Sequence, residues 1–364
     1  MRIGIDYRPA LDARGGIGVY VRELSAALRA HAPDDELELF GHRLRRPRAP
    51  AVSSVPRGAR LHRRRVPAPV LALAARAGFG ADRLLGTVDV LHATDYAPLH
   101  ASHAPLVATI HDVCFHTLPD CYEPALRARL ARVTDDLVAR ASHIIVPCAR
   151  VRDELLAHTA AEAACVHVVP HGAPGLQATE AGRVPFGARP YILCVATIQP
   201  RKNLLRLLDA FRAVRAQRPD TQLVVVGPAG WASAPIEARL AGDPGVWWEP
   251  CVPRARVAQL YRGASVVAYP SLGEGFGFPV LEAWSMDVPV VVGADTAASD
   301  LAAGGALAVD PRDADAVAAG LLRVLEDEVL AGALVETGHA RLAEFTWERT
   351  ASQTRAVYAE AAAS

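Results

Sequence analysis

Lysine is almost missing from this chain: of 39 basic side chains only Lys202 is lysine, and the others are arginine. A bias that replaces lysine wherever a guanidinium serves leaves it where a compact, rotatable ammonium is needed. An excess of either charge is also missing, since 39 acidic groups balance the 39 basic ones. That balance excludes a general polyanion binder, and a hydrophobic content of 51% excludes a disordered chain. No run of about eighteen apolar residues occurs, so no membrane-spanning helix is expected. Met1 to Asp6 enters an apolar strand pattern with no leader-like charged and apolar segments, and a cytoplasmic location is the expectation. The six cysteines, Cys114, Cys121, Cys148, Cys165, Cys194 and Cys251, lack C-x-x-C or zinc-type spacing. They read as small buried hydrophobes of a reducing compartment, and the spacing reveals no metal cluster.

What is present organises around Ser271 to Pro289. Ala264 to Tyr269 is a short β-branched run closed by Pro270, as in a buried strand. Gly273, Gly275 and Gly277 follow, and Pro279 opens a run of helix formers, where its missing N–H costs nothing. Strand, glycine loop and helix together direct backbone N–H groups and a helix dipole at one point, which suits a phosphate. Glu274 lies in the loop and Glu282 about one turn into the helix. Each carboxylate can accept two hydrogen bonds from a vicinal diol, though either alone is equally explained as a solvated or dipole-stabilised charge.

The same plan recurs twice. Arg2 to Asp6, then Gly15-Gly16-Ile17-Gly18, then apolar positions at helical spacing from Val19 to Leu28 form the first copy. Tyr191 to Ala196 leads through Thr197-Ile198-Gln199-Pro200-Arg201-Lys202-Asn203 into a helix starting at Leu204. Cations are disfavoured at that end of a helix, so an anion should compensate Arg201 and Lys202. Val88 to His92 and Leu106 to Ile110 read as further strands. His111 then stands at the rim where α/β sheets bind ligands, although a lone rim histidine is often structural. Asp313 and Asp315 form an Asp-x-Asp before an alanine-rich helix and read as an N-cap rather than a metal pair.

The phrase from Pro270 to Ala283, with seven residues between its two glutamates, resembles the donor-site motif of retaining glycosyltransferases of family 4. Thr197 to Asn203, Thr109 to Asp120 and Gly15 to Gly18 resemble three more landmarks of that family, in order along nearly the whole chain. Ala196 stands where the family usually has Gly, and Met286-Asp287 where it has Cys-Gly. The resemblance implies an α/β fold of two doubly wound Rossmann-like domains facing across a cleft, the GT-B fold. Residues 1–173 would form an acceptor-side domain, 174–190 a linker, 191–346 the nucleotide-sugar domain, and 347–364 a helix returning to the first domain.

It further implies transfer of a sugar, with mannose from GDP-mannose favoured, from a nucleotide-diphosphate sugar to a hydroxyl of a lipid-linked or polysaccharide acceptor. His111, Glu274, Arg201 and Lys202 would be catalytic. Gly16, Arg201, Lys202, Glu274, Gly275, Phe276, Gly277 and Glu282 would bind the donor, with no metal and no other cofactor. A sugar-nucleotide epimerase of the same architecture and a silent partner subunit remain alternatives.

Between Leu39 and Ala81 no acidic residue occurs, while arginine stands at 43, 45, 46, 48, 57, 60, 63, 64, 65 and 76. This reads either as a solvated basic face or as a patch for anionic lipid or a lipid diphosphate at the inner face of the plasma membrane. Nucleic acid is not an expected partner, because the segment has almost no aromatic residues.

Overall fold

Runs of four or five apolar residues with no polar alternation, such as Leu223 to Val226, suit strands covered on both faces, and these four are fully or almost fully buried. The computed structural model describes residues 1–11, 15–42, 55–64, 79–96, 99–176 and 187–364. They group into two compact units. The first comprises Met1–His116, Ala128–Gly172 and Phe345–Ser364, and the second Thr117–Arg127 and Ala173–Glu344.

The first unit holds β1 (Arg2–Asp6), β2 (Glu36–His42), β3 (Arg60–Arg64), β4 (Val90–Ala93), β5 (Leu106–Thr109), β6 (His143–Val146) and β7 (Val166–Val168). They pair in parallel in the order β3-β2-β1-β4-β5-β6-β7. The second unit holds β8 (Tyr191–Val195), β9 (Gln222–Val226), β10 (Val246–Glu249), β11 (Val266–Tyr269), β12 (Val290–Gly293) and β13 (Leu307–Val309). Its order is β10-β9-β8-β11-β12-β13, again parallel. In each sheet the order reverses beside the first strand, between β1 and β4 and between β8 and β11. Loops leaving the carboxyl ends of strands at such a point diverge and leave room for a ligand. The doubly wound α/β expectation therefore holds for both units.

Part of the arginine-rich segment forms a strand while Arg60 and Arg63 stay in solvent, Arg60 being 69% exposed. Arg60 to Arg64 is the edge strand β3, although so basic a run has little strand propensity of its own. Its register sets Arg60 opposite Glu38 of β2, a carboxylate only 1% exposed. Arg60 Nη1 lies 3.4 Å, His62 Nε2 2.5 Å and Arg2 Nη2 2.9 Å from the Glu38 oxygens. Burial pushes this carboxyl up, and the bonds from His62 and Arg2 outweigh burial and hold it below its ordinary value. Arg43, Arg45, Arg46, Arg48, Arg65 and Arg76 lie outside the described residues, as does most of the expected linker.

Elsewhere the differences are local. The helix after the glycine loop spans Phe278–Trp284, so Pro279 is its second residue rather than its first. Asp313 caps the Ala314–Glu326 helix by accepting from the Asp315 N–H at 2.9 Å. Cys251 is exposed, and Cys148 and Cys165 are half-buried, contrary to the reading of all six as buried. None of the six cysteines is in a disulfide.

One residue ties the second unit's loops together. Asn203 adopts φ 60° and ψ 30°, a left-handed conformation that its short amide side chain tolerates. Its Nδ2 donates to the Pro270 carbonyl at 3.0 Å and the Pro311 carbonyl at 2.5 Å. Asn203→Ala would strand both buried acceptors and place alanine at positive φ. The expected loss is about 2–4 kcal/mol of stability in urea denaturation, and an unchanged midpoint would mean that these bonds hold nothing.

Candidate active site

In the second unit the chain leaves β8, makes one tight turn at Pro200–Lys202, and enters the Leu204–Gln217 helix. That turn places Arg201 and Lys202 beside the loop leaving β11, where Glu274 lies. Lys202 Nζ donates to Glu274 Oε1 at 2.6 Å and Oε2 at 2.8 Å, and to the Tyr269 hydroxyl at 3.1 Å. Arg201 Nη1 donates to Glu274 Oε2 at 3.1 Å and to the Gly273 carbonyl at 2.7 Å. In return the Leu272 N–H donates to the Arg201 carbonyl at 2.9 Å, so the two loops brace each other. The anion that should compensate two cations at a helix start is Glu274.

All three side chains are removed from water, at 9%, 11% and 6% exposure for Arg201, Lys202 and Glu274. Burial alone would push the Glu274 carboxyl up. Lys202 and then Arg201 outweigh burial and hold it at about 2. Gly275, Phe276 and Gly277 continue the loop and are buried. Gly277 has φ 135°, a region that side-chain-bearing residues rarely adopt, and it caps the following helix.

Glu282 keeps a separate set of partners. The Tyr261 hydroxyl donates to its Oε2 at 3.0 Å, and Arg254 Nη1 lies 3.7 Å from Oε1. Burial raises this carboxyl's pKa, against the pull of Arg254 and the Tyr261 bond. Tyr261, Arg254 and Tyr269 escaped the sequence reading. The first two lie seven positions apart on the Arg254–Gly263 helix, a spacing of two turns that puts them on one face, but nothing local ties that face to Glu282.

In the first unit His111 follows β5 and is 9% exposed. Its Nε2 lies 2.9 Å from the Thr94 carbonyl, which can only accept, so Nε2 carries the proton. Burial lowers its pKa despite that bond and the nearby Asp95 and Asp112, leaving a neutral ring with an acceptor at Nδ1. Tyr20 meets it edge-on at 5.0 Å, and His171 stands 5.6 Å away. Gly16 begins the helix that carries Tyr20 and is exposed, while the positive φ of 91° falls on Gly15.

At this sheet's switch point Arg8 grips Asp6 through Nε at 2.7 Å and Nη2 at 2.6 Å. Asp95, just beyond β4, has its carboxyl raised by burial and by Asp6. Asp6, Arg8, Asp95 and Tyr20 were not singled out from sequence, whereas His171 stands out there because the family more commonly has Asn at that place. The position of Asp6 at the end of a legible strand was the available signal.

The family described as Glycosyltransferase Family 4 matches residues 14–174, and Glycosyl transferases group 1 matches residues 189–327. The D-inositol 3-phosphate glycosyltransferase of Jonesia denitrificans is 30% identical over 96% of this chain and 92% of its own length. The chain belongs to glycosyltransferase family 4. This family 4 chain is also 33% identical to O-antigen chain mannosyltransferase B of Escherichia coli, although that match covers 46% of the chain and 45% of the relative. Sucrose-phosphate synthase from Thermosynechococcus elongatus superposes with a TM-score of 0.76 over 99% of this chain and 98% of that one, at 22% identity. Anabaena Alr3699/HepE in complex with UDP and glucose does so with 0.71 over 99% and 100%, at 16% identity. These likenesses show the GT-B fold.

The charge balance at Glu274 has a pH signature. Its carboxyl ionises at about 2 in the folded chain, against an ordinary 4.5. Its stabilising contribution is therefore fully present above about pH 4.5 and is lost as pH falls through 2. Glu274→Gln should cost about 3–5 kcal/mol at pH 7, because two buried cations lose their anion. The variant's stability should also fall less steeply than that of wild type between those pH values. Denaturation midpoints measured across that range check both, and parallel curves would contradict the assignment.

Proposed function

We propose that this chain is a retaining hexosyltransferase that moves a sugar from a nucleotide-diphosphate sugar to an acceptor hydroxyl without a metal ion at the transfer site. The observation that carries the reading is the pair Arg201 and Lys202, held by Glu274 at the switch point of the second sheet. Charge develops on the leaving diphosphate in such a transfer. Cations already fixed in a water-poor place stabilise it without reorganising. Lys202 and Arg201 take that role, with the backbone of Gly275, Phe276 and Gly277 beside them. Glu274 orients the two cations and offers its outer lone pairs to hydroxyls of the transferred sugar. Glu282 takes the ribose diol. In the first unit His111, neutral and with Nδ1 as an acceptor, faces the sugar and acceptor, and Gly16 gives backbone access to the donor phosphates.

The names of the relatives support a mannosyl donor, because an O-antigen chain mannosyltransferase and phosphatidyl-myo-inositol mannosyltransferases are among them. The acceptor is accordingly a lipid-linked or polysaccharide glycan. Among the described residues no helix is long and apolar enough to cross a membrane. A peripheral position at the cytoplasmic face of the plasma membrane, reached through arginines 43–76, fits an acceptor of that kind.

Thermal shift with saturating GDP, UDP, dTDP and ADP tests the donor site. GDP should raise the melting temperature of wild type and leave Lys202→Ala unmoved. A ligand at about a hundred times its Kd adds about 2.7 kcal/mol of stability. Lys202→Ala should also lose sugar transfer from GDP-mannose while remaining folded, and wild-type-like turnover would end the assignment. Vesicles containing phosphatidylglycerol should retain the protein at low salt and release it as salt screens the arginines. Failure to bind at low salt would remove the membrane role.

A further inference from the structure

A second set of chemically capable side chains lies in the first unit and takes no part in the reading above. His143 is the first residue of β6, His167 is the middle residue of β7, and Glu360 lies near the end of the Trp347–Ala363 helix. Strand register explains how the two histidines meet. Ile145 pairs with His167, and residues two apart on a strand share a face, so His143 and His167 project from the same side of the sheet. The Trp347–Ala363 helix packs against β4, β5 and β6 and brings Glu360 to the two rings.

The donor atoms converge. His143 Nδ1 and His167 Nε2 are 2.9 Å apart, and His167 Nε2 lies 3.8 Å from Glu360 Oε2. One donor atom from each residue falls within 4.8 Å of the other two. Tetrahedral zinc with bonds of about 2.0–2.2 Å spaces its ligand atoms roughly 3.3 Å apart. The two nitrogens are close to that spacing. The Glu360 side chain, 58% exposed, is free to swing the remaining distance.

We propose that His143, His167 and Glu360 form a zinc site that fastens the C-terminal helix to the sheet. Two imidazoles and one carboxylate are a zinc-type ligand set that leaves a fourth position for water. The imidazoles disfavour the hard ions magnesium and calcium. Three protein ligands with an open fourth place are the pattern of catalytic zinc, structural sites usually being closed by four, so the structural role rests on the site's position alone. His143 opens β6 at the amino end, whereas His111 follows the carboxyl end of β5. The same helix carries Tyr358, whose hydroxyl meets His92 Nδ1 at 2.6 Å, and Trp347, stacked 6.5 Å from His171. A metal that pins the helix would therefore also steady the aromatic surroundings of His111.

The test is calorimetric titration of the chelator-treated full chain with zinc chloride, and separately with magnesium chloride. Wild type should take up one equivalent of zinc and show no heat with magnesium. Zinc should raise the wild-type melting temperature by about 5 °C at a hundred times its Kd. His143→Ala and His167→Ala should weaken zinc binding about tenfold or more and abolish the thermal shift. Glu360→Gln, at an exposed position with little risk to folding, should weaken it about tenfold with GDP binding unchanged. Should the histidine variants not fold, Glu360→Gln decides the matter alone. No zinc uptake by wild type would overturn the site and leave a hydrogen-bonded histidine pair. Wild-type affinity in Glu360→Gln, or loss only in Cys251→Ser, would equally overturn it.

Discussion

A carboxylate at 6% exposure stays ionised only while cations face it, and the second unit is built so that two do. Glu274 comes from the loop after β11, and Arg201 and Lys202 from the turn after β8. The sheet order makes those strands neighbours. The balance explains the retained lysine in physical terms. One ammonium reaches both carboxylate oxygens and the Tyr269 hydroxyl at once, using three rotatable donors where a planar guanidinium offers a fixed fork. The adjoining arginine reaches Gly273 and braces the glycine loop. Asn203 then holds the turn against the segments at Pro270 and Pro311. Loop shape and charge placement are one structure here, because losing any member would expose a buried charge or a buried carbonyl.

Around His111 the first unit uses neutral rings instead, although Arg8 and Asp6 pair as ions at its switch point. Burial holds His92 at about 3 and pushes His171 well below its ordinary range, so the rings near His111 are neutral acceptors and donors. A continuous polar chain runs from Tyr358 through His92 to Thr109 and Tyr20, with contacts of 2.6, 2.7 and 3.0 Å. The C-terminal helix is thereby fastened to the sheet that carries His111. Thr350 Oγ1 adds a bond to the Pro170 carbonyl at 2.8 Å. Under the function proposed above this contrast has a chemical sense, since a charged leaving group and a neutral hydroxyl acceptor call for different surroundings.

Much of the core of both sheets was legible in the sequence because parallel strands buried on both faces read as plain apolar runs, as at Gln222–Val226 and Tyr191–Val195. β2 and β3 were not. They mix polar and charged residues such as Glu38, Arg60 and His62 with apolar ones, and register brings those polar side chains together. The glycine loops and the Arg201-Lys202 turn were legible because their backbone demands are local. The partners of Glu282, Tyr261 and Arg254, were not, since a helix face carries no mark of what it will meet.

The sequence by itself determined where chains turn and which positions demand glycine, proline or the sole lysine, because these depend on a few neighbouring residues. It also carried family identity, because the motifs are contiguous. Tertiary structure alone decided which charge answers which, because Coulomb and hydrogen-bond partners are chosen by sheet order and register across long stretches of chain. Lys202 with Glu274, and His143 with His167 and Glu360, are pairings of that kind. No spacing along the chain encodes them, and they exist only once the strands that carry them lie side by side.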